Sequence, residues 1–253
     1  LIQPDDGGIY LFGERLSRNA RHALRYVGAL VESPSLYGHL SGAENLEVTR
    51  QLLALPKARI AEVLHLVDLT DVAHRLVGEY SLGMRQRLAL ALALLSEPKL
   101  LILDEPSNGL DPAGIQEFRN LLRYLVTERG LTVFLSSHLL SEIELFVTHF
   151  DLFQSGLLFF HDSLADLRQR IKPELEIRCS EPERAMALLE ATGESASRQA
   201  DKLTLQPRTS SPAEINQRLV QAGLAVSELS LRAASLETLF FNLTRNKVEA
   251  NHD

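Results

Sequence analysis

Lys99-Leu-Leu-Ile-Leu-Asp104-Glu105-Pro106-Ser-Asn-Gly-Leu-Asp111-Pro112 is the stretch on which the reading of this chain turns. Its aliphatic run predicts a buried strand, and the two acidic residues stand where that strand ends and the chain turns. An Asp-Glu pair at the carboxyl end of a strand suits a magnesium-nucleotide site. One carboxylate holds the metal, and the next orients or deprotonates a water beside the terminal phosphate. On an extended chain the two side chains point to opposite sides, so separate roles are expected for them. A solvated acidic turn, the plainer reading, fits poorly with the aliphatic run before the pair and Pro106 after it. The usual companion of such a site, G-x-x-x-x-G-K-[ST], occurs nowhere in the 253 residues.

Composition bounds the class. With 45% hydrophobic and 23% charged residues, the chain fits one or two globular domains large enough to bury a core. A net charge of -7 with no basic stripe argues against a nucleic-acid surface. Cys179 is the single cysteine, which excludes a disulfide framework or a Cys-rich metal site and suits a reducing cytoplasm. The longest apolar run, Leu88 to Leu95, is too short to span a bilayer. No signal-peptide pattern opens the chain, and a first residue of Leu leads us to expect that its true beginning lies upstream.

Working outward, Gly8–Glu14 predicts a short antiparallel strand and Arg25–Glu32 a more buried one. Helical periodicity then runs from Ala43 to about Arg75, interrupted at Pro56, with Ser41 and Glu44 placed as a helix start. Ser81 opens a further helix. Strand Lys99–Leu103, helix Pro112–Glu128 and strand Leu131–Leu135 predict a right-handed parallel crossover. His149–Gln154 and Leu157–Phe160 read as a hairpin. Beyond it come strand Glu174–Cys179, helix Pro182–Ala191, strand Lys202–Gln206, helix Pro212–Ala222, strand Ala225–Leu231 and helix Ser235–Leu243, with Gly193–Asp201 as a loop.

Glu32, Ser81-Leu-Gly-Met-Arg-Gln-Arg87, Asp104-Glu105, Asp111 and Ser136-Ser137-His138 follow one another in the order of the motifs of an ABC transporter ATP-binding subunit. Leu100–Glu105 resembles Walker B, Asn108–Asp111 the D-loop, and His138 the switch histidine. Tyr80–Arg87 is similar to the LSGGQQQR signature through Ser81, Gly83, Gln86 and Arg87, and departs from it at Leu82 and Met84. That variant, with Glu32 where many members carry Gln, resembles the antibiotic-resistance and lantibiotic-immunity branch, the bacitracin exporter type. The resemblance implies an α/β, P-loop NTPase-like ABC core in residues 1–160, incomplete for want of the P-loop strand–helix unit, with a helical subdomain over 43–97. Residues 161–253 then form a small accessory α+β domain, of ferredoxin-like kind.

Each motif has a chemistry and a plainer alternative. Ser81 caps a helix and Gly83 allows close backbone approach, so the helix amino terminus offers N–H groups and a favourable dipole to a phosphate. In the family this face serves the nucleotide of an opposing subunit, which implies a dimer. Asp104 would bind Mg2+ and Glu105 would face the attacking water of bound ATP. His138 ends a strand of the same sheet, so it would share a crevice with Glu105 and could bridge phosphate and water network; otherwise it is a surface histidine. Glu32 would sense the state of the same site. Asp111 would pack across the dimer interface, or else form an Asx turn before Pro112. Ser33–Arg75 would meet a membrane-spanning permease subunit, with the protein peripheral on the cytoplasmic face of the membrane.

The absent cradle leads to one further expectation: a missing strand–loop–helix of about 30 residues upstream, leaving an unpaired sheet edge and this chain inactive alone. On that basis three functions compete: the ATPase of an exporter for a peptide antibiotic or similar amphiphile, a non-hydrolysing subunit that offers its signature face to a partner's ATP, and half of a chromosome-repair ATPase head. The third should show heptads before the signature, where strands stand instead.

Overall fold

Leu100 to Leu103 form the middle strand of a three-stranded parallel sheet. A computed structural model describes residues 5–17, 22–31, 35–170, 173–199, 201–206 and 210–232. Its contacts divide the chain into two units, Leu1–His138 and Leu139–Asp253. The first holds β1 (Tyr10–Leu11), β2 (Glu14–Arg15), β3 (Val27–Leu30), α1 (Gly42–Leu52), α2 (Ala58–Leu66), α3 (Leu82–Leu94), β4 (Leu100–Leu103), α4 (Pro112–Arg129) and β5 (Thr132–Leu135).

The sheet order is β3-β4-β5, with Val27 opposite Leu100 and Leu100 opposite Thr132. Parallel neighbours require crossovers, and the helical segment and α4 supply them. Leu101 and Leu103 are buried. The α3 helix lies so close to β3 that a Cβ at Gly28 would stand 2.2 Å from the carbonyl oxygen of Ala93. That helix is buried almost all round, through Leu88, Ala89, Leu90, Ala91, Ala93 and Leu94, as an interior helix must be. By contrast α4 buries only the stripe Phe118, Leu122 and Leu125. Its ends follow helix-stop chemistry: Asp111 caps the start, Pro112 takes the first turn, and Gly130 closes it at φ +64°. The outer strand β5 leaves Phe134 58% exposed.

Local geometry in this unit differs from the sequence reading in two places. The Gly8–Glu14 segment is a tight hairpin of two two-residue strands, because Phe12 and Gly13 both take positive φ, 53° and 83°. Residues His22–Tyr26 form a 3-10 turn, so the strand begins only at Val27. Glu32 and the expected helix Ser235–Leu243 lie outside the described residues.

The second unit begins with α5 (Leu140–Ile143), β6 (His149–Gln154), β7 (Leu157–Ser163) and α6 (Leu164–Arg170). Phe150 and Leu152 of the hairpin pack with Leu164 and Leu167 in a core of their own. Then follow β8 (Glu174–Cys179), α7 (Pro182–Ala191), β9 (Ala196–Gln199), β10 (Lys202–Leu205), α8 (Pro212–Gln221) and β11 (Val226–Arg232). Their antiparallel order β11-β8-β10-β9 is that of a split β-α-β, ferredoxin-like module. Leu175, Ile177, Leu203 and Leu205 line its buried face with Ala185, Leu189, Ile215 and Leu219. Within Gly193–Asp201, expected as a loop, β9 forms a strand: Ser-Arg-Gln carries no alternating apolar signal, and pairing to β10 decides it.

Candidate functional site

Three strands end together, and the site grows from their register. Leu103 stands opposite Leu30 and Leu135, so the residues that follow β4 and β5 are neighbours. The Asp104 N–H donates to the Leu30 carbonyl at 2.8 Å, and the Ser136 N–H to that of Leu103 at 2.9 Å. Ser136 Oγ donates to Asp104 Oδ1 at 2.6 Å and accepts the Glu105 N–H at 2.9 Å. Glu105 Oε2 lies 2.9 Å from Nδ1 of His138. A proton on Nδ1 facing that carboxylate leaves Nε2 of the neutral ring as an acceptor.

Glu105 corrects one premise. Its φ is +45°, so the chain is no longer extended there, and strand alternation does not set where its side chain goes. A non-glycine residue in this region stores strain of order 1–3 kcal/mol, which persists only where neighbours over-determine it. Asp104 takes Ser136 and Glu105 takes His138, so the two carboxylates do have separate partners, for a different reason than alternation.

Asp104 is half-buried, and no described residue engages its Oδ2. A hard oxygen donor of this kind suits Mg2+, which takes one or two carboxylates and completes its shell with water and substrate phosphates. Among the described residues no group of three His, Cys, Asp or Glu gathers as an all-protein metal cage.

At the signature, Ser81 caps α3, its Oγ accepting the Met84 N–H at 3.2 Å. Gly83 follows in the first turn. Tyr80, buried just before it, donates its hydroxyl to the Val72 carbonyl at 2.6 Å, and burial pushes its phenol above the usual value. Leu82, the departure from the family pattern, sits against the D-loop: a Cβ at Gly109 would lie 2.9 Å from Leu82 Cδ2, and one at Gly83 would lie 3.8 Å from Leu110 Cδ2. Asp111 Oδ1 accepts the Gly114 N–H at 2.8 Å, which is the Asx-type cap reading of that residue. Arg87, midway along α3, reaches the Val67 carbonyl, Asp68 and Glu117, joining the end of α2 to α4.

Ser136 and Tyr80 are what sequence reasoning passed over. Ser136 sits within the Ser136-Ser137-His138 run but gains its partners only through strand register. Tyr80 occupies the aliphatic position of the signature, and its bond to Val72 is a tertiary contact.

Away from these groups, an open cavity of about 550 Å3 is lined by Ser41, Glu44, Glu47, Ile60, His74 and Leu76. Hydrogen bonds from the Ser41 N–H and hydroxyl hold the Glu44 carboxyl below its usual value, and those from Arg50 and Gln51 bring Glu47 down to about 2. Leu52 and Leu53, at the end of α1, are 81% and 51% exposed.

The family described as ABC transporter matches residues 1–108. Over 247 residues the chain is 38% identical to the bacitracin transport ATP-binding protein BcrA of Bacillus licheniformis, covering 96% of this chain and 81% of that one. BcrA of Enterococcus faecalis is 35% identical over 96% of this chain and 80% of its own length. The lantibiotic transport ATP-binding protein SrtF of Streptococcus pyogenes is 43% identical over 57% of this chain and 61% of its own. Among solved structures, cbiO1 from Clostridium perfringens, part of the ABC transporter complex cbiONQ, shares the fold at a TM-score of 0.61. That match is 23% identical and covers 67% of this chain and 71% of cbiO1. With the motif order, the sheet and these relatives in agreement, the chain belongs to the ATP-binding subunits of ABC transporters, of the bacitracin-exporter type.

Proposed function

We propose that this chain powers export of a peptide antibiotic or similar amphiphile by hydrolysing ATP, paired with a second ATP-binding subunit and a membrane-spanning permease at the cytoplasmic face of the membrane. The observation that carries the reading is the Asp104–Ser136–Glu105–His138 cluster at one end of a parallel sheet, the position where open α/β sheets bind ligands. Glu105 would orient the attacking water and take its proton, and His138 would hold the Glu105 carboxylate through Nδ1–H while Nε2 accepts from the water network beside the terminal phosphate. Asp104 would hold Mg2+, which when bound neutralises charge on the phosphates. Ser81 and Gly83 would present the start of α3 to the partner's nucleotide, with Asp111 at the shared interface, and Glu32, by family resemblance, would sense the state of the hydrolytic site. The exposed Leu52 and Leu53 at the end of α1 support the helical segment as the permease-facing part. Relatives named for bacitracin and lantibiotic transport support the cargo class.

In the complete subunit, Glu105→Gln is expected to slow ATP hydrolysis at least about 100-fold while leaving ATP binding intact. Unchanged turnover refutes the role given to Glu105. A second reading, a non-hydrolysing subunit that serves a partner's ATP, is favoured by the absence of G-x-x-x-x-G-K-[ST] from these residues. Residues 1–253 alone are accordingly expected to hydrolyse ATP negligibly, and robust turnover by them would show that another element cradles the phosphates.

A further inference from the structure

We propose that Ser136 is a positioning residue of the hydrolytic site, its one hydroxyl tying the Asp104 carboxylate to the Glu105 backbone. The inference rests on the ATPase reading above and extends it to a residue that has so far been given no role of its own. Ser136 is the first residue beyond β5, and its N–H bond to the Leu103 carbonyl at 2.9 Å seats it beside the end of β4. A hydroxyl has one donor hydrogen and two lone pairs, so it serves both neighbours at once: it donates to Asp104 Oδ1 at 2.6 Å and accepts the Glu105 N–H at 2.9 Å.

The two bonds do different things. The first selects which Asp104 oxygen is occupied and leaves Oδ2 without a partner among the described residues. The second satisfies the N–H of a residue at φ +45° that also precedes Pro106, a backbone restricted on both counts. With its backbone so held, Glu105 brings its carboxylate to His138. Ser136 is exposed, so removing its hydroxyl deletes these bonds without opening a cavity.

The test compares Ser136→Ala and Ser136→Thr in the complete subunit. Amide exchange at Glu105 is followed by NMR alongside the Mg2+ dependence of ATP hydrolysis. Ser136→Ala is expected to speed exchange about 10-fold. It should also raise the Mg2+ half-saturation and lower kcat, together by about 10- to 100-fold, as loss of an outer-shell partner does. The thermal midpoint should not move, and Ser136→Thr, which keeps the hydroxyl, should stay within about 3-fold of wild type. Unchanged exchange in Ser136→Ala overturns the proposal. Faster exchange with an unmoved Mg2+ half-saturation overturns it too, because the bond is then merely structural. Failure of Ser136→Thr to restore function argues that bulk, not the hydroxyl, matters, and equally overturns it. A wild-type subunit without ATPase activity defeats the ATPase reading and the positioning role with it; with wild-type activity intact, the variants bear on Ser136 alone.

Discussion

Leu82 of the signature lies directly over Gly109 of the D-loop, so close that a Cβ on Gly109 would stand 2.9 Å from Leu82 Cδ2. The departure from the family's glycine at this position is therefore a packing contact. It joins the start of α3 to the loop that leads into α4, and Leu110 near Gly83 repeats the pattern in reverse. The two loops form one interlocked surface. Gly109, at φ +75°, carries both a conformational and a steric demand. Gly109→Ala is expected to lose about 1–2 kcal/mol of stability by chemical denaturation, mostly left-handed strain, and Leu82→Ala in the same chain should reduce that loss by about 0.5 kcal/mol, since the half-exposed Leu82 methyl can turn partly aside. Equal losses in both backgrounds would mean that the side chains do not touch.

Gly28 makes a harder demand, since its Cβ would meet the backbone of Ala93 at 2.2 Å for the oxygen and 3.0 Å for the carbon. Neither atom can rotate away. Gly28→Ala should cost about 3 kcal/mol or more, read as a drop in the denaturation midpoint, because α3 must move off the sheet. A loss below about 1 kcal/mol would contradict the close approach of α3 and β3.

Strain at Glu105 has its own signature. Glu105→Gly removes a side chain from left-handed backbone, and should leave the protein as stable as wild type or up to about 1 kcal/mol more stable, while hydrolysis is lost. Clear destabilisation would place Glu105 among structural residues.

The two capping boxes predict an acid limb of stability. Glu44 and Glu214 each accept the backbone N–H and hydroxyl of the serine three residues before, which lowers their pKa below 4.5, and Glu47 falls to about 2 through Arg50 and Gln51. A carboxylate with a depressed folded pKa contributes stability that is full above its unfolded value and is lost as pH falls through the folded one. Stability should therefore decline below about pH 4.5, with the Glu47 part lost toward pH 2. Ser41→Ala should remove about 1 kcal/mol at neutral pH and flatten that decline, as thermal melts from pH 7 to pH 2 would show. A decline of unchanged steepness would assign it to other groups.

Helix starts were the most legible features, because capping is local: Ser41 with Glu44, Ser81, and Asp111 before Pro112 all act within a turn of their own position. The strand β4 and its acidic end were legible for the same reason. Strand β9 was not, since Ser197 and Arg198 carry no alternation and their pairing with Thr204 and Leu203 exists only in the sheet. Nor was the Phe12-Gly13 turn, which needed a phenylalanine at positive φ.

Composition, periodicity and motif order, read along the chain alone, determined the α/β class, the order of its elements and the candidates Ser81, Asp104, Glu105, Asp111 and His138. Tertiary structure alone decided that His138, 33 residues beyond Glu105, faces its carboxylate, and that Ser136, 32 beyond Asp104, bridges the pair. The physical reason is register. Which hydroxyl meets which carboxylate depends on how β4 and β5 align and on a backbone angle at Glu105 that no local preference favours. Only the packed sheet supplies enough hydrogen bonds to hold it there.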